Sequence, residues 1–145
     1  MIRVILEVIY LVSIIYLSIL YFRLFKDVVK LRRELQTPIG FKSEQLQRAI
    51  RAHSNFCETV PLILILSFIL YFNNVLYFAV PIVIILAFGR TIHSRAILSL
   101  NEDLKKRVIG MKMTILSLKL AIVGILFYII QIIYYGYLAS TSINS

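Results

Sequence analysis

The chain has 145 residues, 60% of them hydrophobic, and a mean hydropathy of +0.88. Soluble domains run nearer ~45–50% apolar, and small ones leave much of their surface in water, so a water-soluble fold is excluded. Disorder is excluded by the same composition, and the single cysteine, Cys57, excludes a disulfide scaffold.

Four apolar spans of ~20 residues each would cross a bilayer, and the pattern supplies four. The first runs from Val4 to about Phe25 and is too long for the apolar part of a leader peptide. A polar stretch from Lys26 to Gln47 follows, with the turn-forming Thr37-Pro38-Ile39-Gly40. Ser43 is placed to cap the next helix by accepting from a free backbone N–H. The second span covers about 49–72 and ends at Asn73-Asn74, and the third covers about 75–100. Asn101-Glu102-Asp103 then breaks the pattern and supplies acids for the positive end of the fourth helix, about 104–137. The polar tail Ser140 to Ser145 is expected to fray. Residues 1–145 thus form one domain, an all-α membrane protein built as a four-transmembrane-helix bundle.

The net charge is +9, from sixteen Lys+Arg against seven Asp+Glu. Its position argues against nucleic acid and for membrane topology. All basic residues except Arg3 lie in two blocks, Arg23 to Arg51 and Arg90 to Lys119. Loops one and three therefore share a basic side. By the positive-inside bias they are expected to face the cytoplasm, in an inner membrane if the source is bacterial, with both termini on the other side. Tyr71, Tyr77, Tyr134, Tyr135 and Tyr137 gather near that other side, as an interfacial aromatic belt would.

Ionisable groups inside hydrocarbon are costly and mark sites or clamps. At about 100° per residue, Arg48, Arg51, Asn55 and Glu58 fall on one stripe of the second span. Glu58 lies roughly 15 Å below Arg48, and Arg90 of the third span lies at a similar depth, which predicts a Glu58–Arg90 ion pair. His93 shares the Arg90 face; His53 points elsewhere, toward another helix or lipid headgroups. Cys57 is expected to be inert packing, and Pro61 to kink the second span beside Glu58. Arg107 opens the fourth span, followed on one side by Gly110, Met111 and Thr114, while Lys105, Lys112 and Lys119 take the far side. No Cys/His metal spacing, phosphate-binding glycine loop or Ser/His/Asp set is present. What remains is an arginine-rich pocket for a small polyanion reached from the cytoplasm, with room for an amphipathic co-ligand arriving from lipid.

These residues resemble the MAPEG family, the membrane-associated proteins of eicosanoid and glutathione metabolism, and most of all its small bacterial branch. Arg48-Ala-Ile-Arg51-Ala-His53-Ser-Asn55-Phe-Cys-Glu58-Thr-Val-Pro61 resembles the signature R-x-x-R-A-H-x-N-x-x-E-x-x-P. Gly89-Arg90-Thr-Ile-His93 resembles the third-span element G-R-x-x-H, and Arg107-Val-Ile-Gly110-Met111-Lys-Met-Thr114 the fourth-span opening R-x-x-G-M-x-x-T. The resemblance implies a homotrimer that binds glutathione between subunits as a co-substrate. It implies contacts from Arg51, Asn55, Glu58, Arg90 and His93, with a carboxylate contact from Lys30 or Arg33. Arg107 would be the catalytic residue, holding the glutathione thiolate. Two positions depart from the pattern: Thr59 and Ile97 stand where relatives often carry tyrosine.

The expected function is a membrane-bound glutathione-dependent transferase or peroxidase acting on a lipophilic small molecule, an electrophile or a hydroperoxide. The rival is a non-catalytic lipid-binding or scaffold protein of the same fold, and a proton-coupled transporter using Glu58 ranks below both.

Overall fold

The computed structural model describes residues 1–143. They form four helices: α1 Ile2–Glu34, α2 Glu44–Phe72, α3 Leu76–Leu98 and α4 Leu104–Ile143. Among the described residues there is no strand, and all four helices are long and apolar enough to cross a membrane. The protein is an all-α, four-span membrane bundle.

The helix α3 is its centre. It packs against α1, α2 and α4, while α1 and α4 do not touch. Its sequence allows this because it is apolar nearly all round, and Ala79, Ala87, Gly89 and Ala96 let neighbours approach. The tightest approach is to α4. A Cβ on Gly110 would lie 2.7 Å from the Gly89 carbonyl oxygen and 2.7 Å from the His93 backbone nitrogen. Only glycine permits that crossing. Deeper along the same seam, Ser117 Oγ donates to the Ile82 carbonyl at 2.6 Å.

At the end away from the long loops, Tyr10 stacks on Tyr71 with ring centroids 4.4 Å apart, and its hydroxyl lies 3.2 Å from Ser67 Oγ. Tyr128 donates to Asn73 Oδ1 at 2.6 Å, and Arg3 donates to Asn74 Oδ1 at 2.6 Å while also pairing with Glu7. The two asparagines thus tie α1 and α4 to the α2–α3 turn.

Helix ends differ from the apolar spans for one reason: hydropathy marks the membrane, whereas backbone hydrogen bonding continues into water. The first helix runs on from Phe25 to Glu34, with a Lys30–Glu34 contact one turn apart. Ser43 Oγ accepts from Leu46 N–H at 3.1 Å, so α2 starts at Glu44. Its helix continues through Pro61 to Phe72. The tail is helical rather than frayed through Ile143. The Ser140 and Thr141 hydroxyls satisfy carbonyls one turn back, at 2.7 and 2.9 Å. Residues 144 and 145 lie outside the described residues.

Candidate functional site

A cleft of about 400 Å³ opens at the loop end, where α2 faces the last turn of α3 and the first turns of α4. The α2 stripe of Arg48, Arg51, Asn55 and Glu58 lines one wall, as its spacing requires, and Arg107 and Glu102 close the other. Ile97 forms part of the floor.

Glu102 organises the charges. Its Oε1 accepts from Arg107 Nη1 at 2.6 Å and its Oε2 accepts from Arg48 Nη1 at 3.1 Å. Arg48 also pairs with Glu44 at 2.9 Å and donates to the Ile97 carbonyl at 3.2 Å. The Arg107 hydrogen bond, aided by Arg48, holds the Glu102 carboxyl below its usual range against a smaller opposing effect of burial. Asp103, next in the chain, does the capping: its Oδ1 accepts from the backbone N–H groups of Lys105 and Lys106. These bonds, led by that from Lys106, keep its carboxyl low as well. From the sequence, Glu102 read as part of a helix cap. The signal that marks it as a clamp is its place in a short loop before a helix that carries an arginine in its first turn, five residues on.

Behind Arg107, His93 is buried, and its Nδ1 lies 3.0 Å from the Arg107 carbonyl oxygen. A carbonyl only accepts, so Nδ1 carries the proton and donates. His93 therefore fixes the backbone from which Arg107 projects, through the gap that Gly89 and Gly110 leave open. It does not line the cleft.

Arg90 does not line it either. Its side chain is 1% exposed, its guanidinium stands 5.8 Å from the Phe56 ring centre, and its Nε and Nη2 have no hydrogen-bond partner. The expected Glu58–Arg90 ion pair is absent: the described ion pairs include neither residue. Depth was matched but rotation was not. Arg90 meets the buried face of α2 at Phe56, and Glu58, two residues on, is turned about 200° away into the cleft.

Lys30 and Arg33 also lie apart from this cleft, along a separate groove on α1. The structure therefore brings together Arg51, Asn55, Glu58 and Arg107, sets His93 and Arg90 behind the wall, and leaves Lys30 and Arg33 on another helix. Of the two departures from the tyrosine pattern, Thr59 donates to the Asn55 carbonyl at 2.8 Å and Ile97 faces the cleft with hydrocarbon. His53 packs against Tyr21 and Phe25 of α1. Cys57 is exposed rather than buried, with Sγ 3.6 Å from His53 Nε2. It lies about 80° around α2 from the centre of the buried Phe56–Val60 stripe that packs the core.

A model of the MAPEG family matches residues 10–135. No match is found among the curated proteins. The match spans most of the chain and includes every motif residue of α2, α3 and α4 named above, so the chain belongs to the MAPEG family.

Proposed function

We propose that this MAPEG-family chain is a membrane-bound, glutathione-dependent transferase or peroxidase for a lipophilic electrophile or hydroperoxide. It works as a homotrimer whose clefts open to the cytoplasm. The observation that carries this reading is the cleft itself: Arg48, Arg51 and Arg107 converge with Asn55 and Glu58 in a space of about 400 Å³, within the usual range of ~300–1,000 Å³ for small-ligand sites.

Glutathione offers two carboxylates, an ammonium and a thiol. Arginine's fixed donor fork suits the carboxylates, and Glu58 suits the ammonium. Arg107 exchanges Glu102 for the thiol, and its permanent charge favours the thiolate, the nucleophilic form. In the transferase reaction the thiolate sulfur bonds to the electrophilic carbon, and the displaced group leaves with the electron pair or takes a proton. In the peroxidase reaction the thiolate attacks the terminal peroxide oxygen. The O–O bond breaks, the alkoxide takes a proton and leaves as alcohol, and a second glutathione converts the sulfenic acid to disulfide and water. In the proposed trimer, Lys30 or Arg33 of α1, which lie apart from the chain's own cleft, would reach a neighbour's. All of the sixteen Lys+Arg except Arg3 lie in the two blocks that flank the long loops, and that excess favours a cytoplasmic opening.

The test is equilibrium binding of radiolabelled glutathione to the protein in mild detergent, with Arg51→Ala beside it. Saturable binding that is lost in the variant supports the reading. A folded protein that binds none overturns it.

One observation favours the second reading, a non-catalytic lipid-binding or scaffold protein. Arg107 is already matched by Glu102 at 2.6 Å, and neither Thr59 nor Ile97 offers a phenol. Under that reading the cluster is a helix clamp, and Glu58→Gln disturbs assembly rather than a reaction.

A further inference from the structure

On the side of the bundle away from α4, a second cleft of about 510 Å³ lies between α1 and α3. Its chemistry is unlike that of the first. Val12, Ile84, Phe88 and Ile92 line it with hydrocarbon. Its three hydroxyls are satisfied within the protein. Thr91 Oγ1 donates to the Ala87 carbonyl at 2.7 Å and lies 2.6 Å from Tyr16 Oη. Threonine has one hydroxyl proton, so Tyr16 donates to Thr91. Ser13 Oγ donates to the Ile9 carbonyl at 2.8 Å. The cleft thus makes no demand for water along its length.

Its length has a physical meaning. From Ile84 to Arg95 along α3 is about 16 Å at 1.5 Å per residue, roughly half of a hydrocarbon core ~30 Å thick. The upper limit is Arg95, exposed in the last turn of α3 and part of the lining. A second arginine, Arg23, is exposed on α1 beyond the lining itself, seven residues after Tyr16. That is about 20° off the Tyr16 direction and roughly 10 Å further toward the loop. Among the described residues neither Arg23 nor Arg95 forms an ion pair, and Asp27, one turn further along α1, pairs with neither. A slot one leaflet deep, dry inside and topped by two unmatched guanidiniums, complements one kind of molecule.

We propose that the α1–α3 cleft is a binding site for an anionic phospholipid of the leaflet next to the long loops, with one acyl chain in the cleft and the phosphate held by Arg95 and Arg23. The site is independent of the glutathione reading and shares no residue with the first cleft. An exposed arginine near a membrane surface attracts an anionic headgroup by roughly a fivefold gain in binding. The pair therefore selects anionic over zwitterionic lipid by roughly tenfold or more.

The chain has no tryptophan, so a single introduced indole reports on its own surroundings. Phe88→Trp, in the cleft wall, and Ile15→Trp, on the α1 surface outside it, are reconstituted separately in phosphatidylcholine vesicles. Brominated phosphatidylglycerol or brominated phosphatidylcholine is then titrated in. Ile92→Trp replaces Phe88→Trp if the latter fails to fold. The expected result is quenching of the cleft indole by the phosphatidylglycerol at roughly tenfold lower mole fraction than by the phosphatidylcholine. Ile15→Trp should show no such preference, and adding Arg95→Gln should cut the cleft preference roughly fivefold. Equal quenching by the two lipids overturns the proposal, as does a preference that survives Arg95→Gln. So does a cleft indole quenched by neither lipid, because another copy or segment then covers the cleft.

Discussion

Two arginines sit on opposite sides of one helix seam and are treated in opposite ways. Arg107 stands at the loop end, half-exposed, with a carboxylate 2.6 Å away and a histidine holding its backbone. Arg90 lies behind it, 1% exposed against an aromatic ring, with two nitrogens unmatched. The difference teaches that position along a membrane helix is set by sequence spacing, whereas a partner is set by rotation about the axis. An arginine that reaches water can exchange one anion for another. A buried one without a carboxylate contributes chiefly a desolvation cost.

The largest expected effect tests the exposed member. Arg107→Ala should lower glutathione-dependent turnover by about 10²–10³-fold, the usual loss when one charge-stabilising donor is removed, with the thermal melt in detergent nearly unchanged. Turnover equal to that of the parent would remove Arg107 from the chemistry.

The seam that separates the two arginines is next. Gly110→Ala places a methyl 2.7 Å from two backbone atoms of α3, and neither is free to move aside. A loss of about 1–3 kcal/mol is expected, together with reduced turnover as His93 withdraws from the Arg107 carbonyl. Denaturant or thermal melts beside activity assays measure both.

Arg90→Met then sharpens the contrast. Removing an unmatched buried charge and keeping its volume should leave stability unchanged or raise it by ~1–4 kcal/mol. A clear loss would mean that Arg90 has a carboxylate partner in the assembled protein, with Glu58 the first candidate.

The smallest effect concerns Glu102. Its carboxyl is held low in the folded chain by Arg107 and Arg48. Its stabilising contribution is therefore present above the ordinary glutamate value of ~4.3 and lost as pH falls through the lower folded value. The melting temperature of the parent should fall over that acidic range more than that of Glu102→Gln. Parallel pH profiles would show that the clamp contributes nothing.

Much of this was legible in the residues. The length of the apolar runs marked four spans, and the stripe of Arg48, Arg51, Asn55 and Glu58 marked one wall of the cleft, because helical periodicity puts those side chains on one face whatever else the chain does. The motifs also pointed to a family that the match over residues 10–135 supports. Three things were not legible. Glu102 read as a cap because its reach to both Arg48 and Arg107 depends on α2 and α4 meeting at that height. Cys57 read as packing because apolar neighbours in sequence do not say which face of α2 turns inward. The dry cleft between α1 and α3 left no motif, since its lining of valine, isoleucine and phenylalanine is the common material of any membrane helix.

Sequence by itself determined the membrane class, the number of spans and which residues share a face of each helix. These follow from hydropathy and from a period of ~3.6 residues per turn, both properties of a single segment. Only the tertiary structure decided which faces meet. The Gly89–Gly110 contact set how closely α3 and α4 cross, and that crossing turned Arg90 into the core, His93 onto the Arg107 carbonyl and Arg107 toward Glu102. Helix rotation is fixed by packing between segments, and no segment carries that information alone.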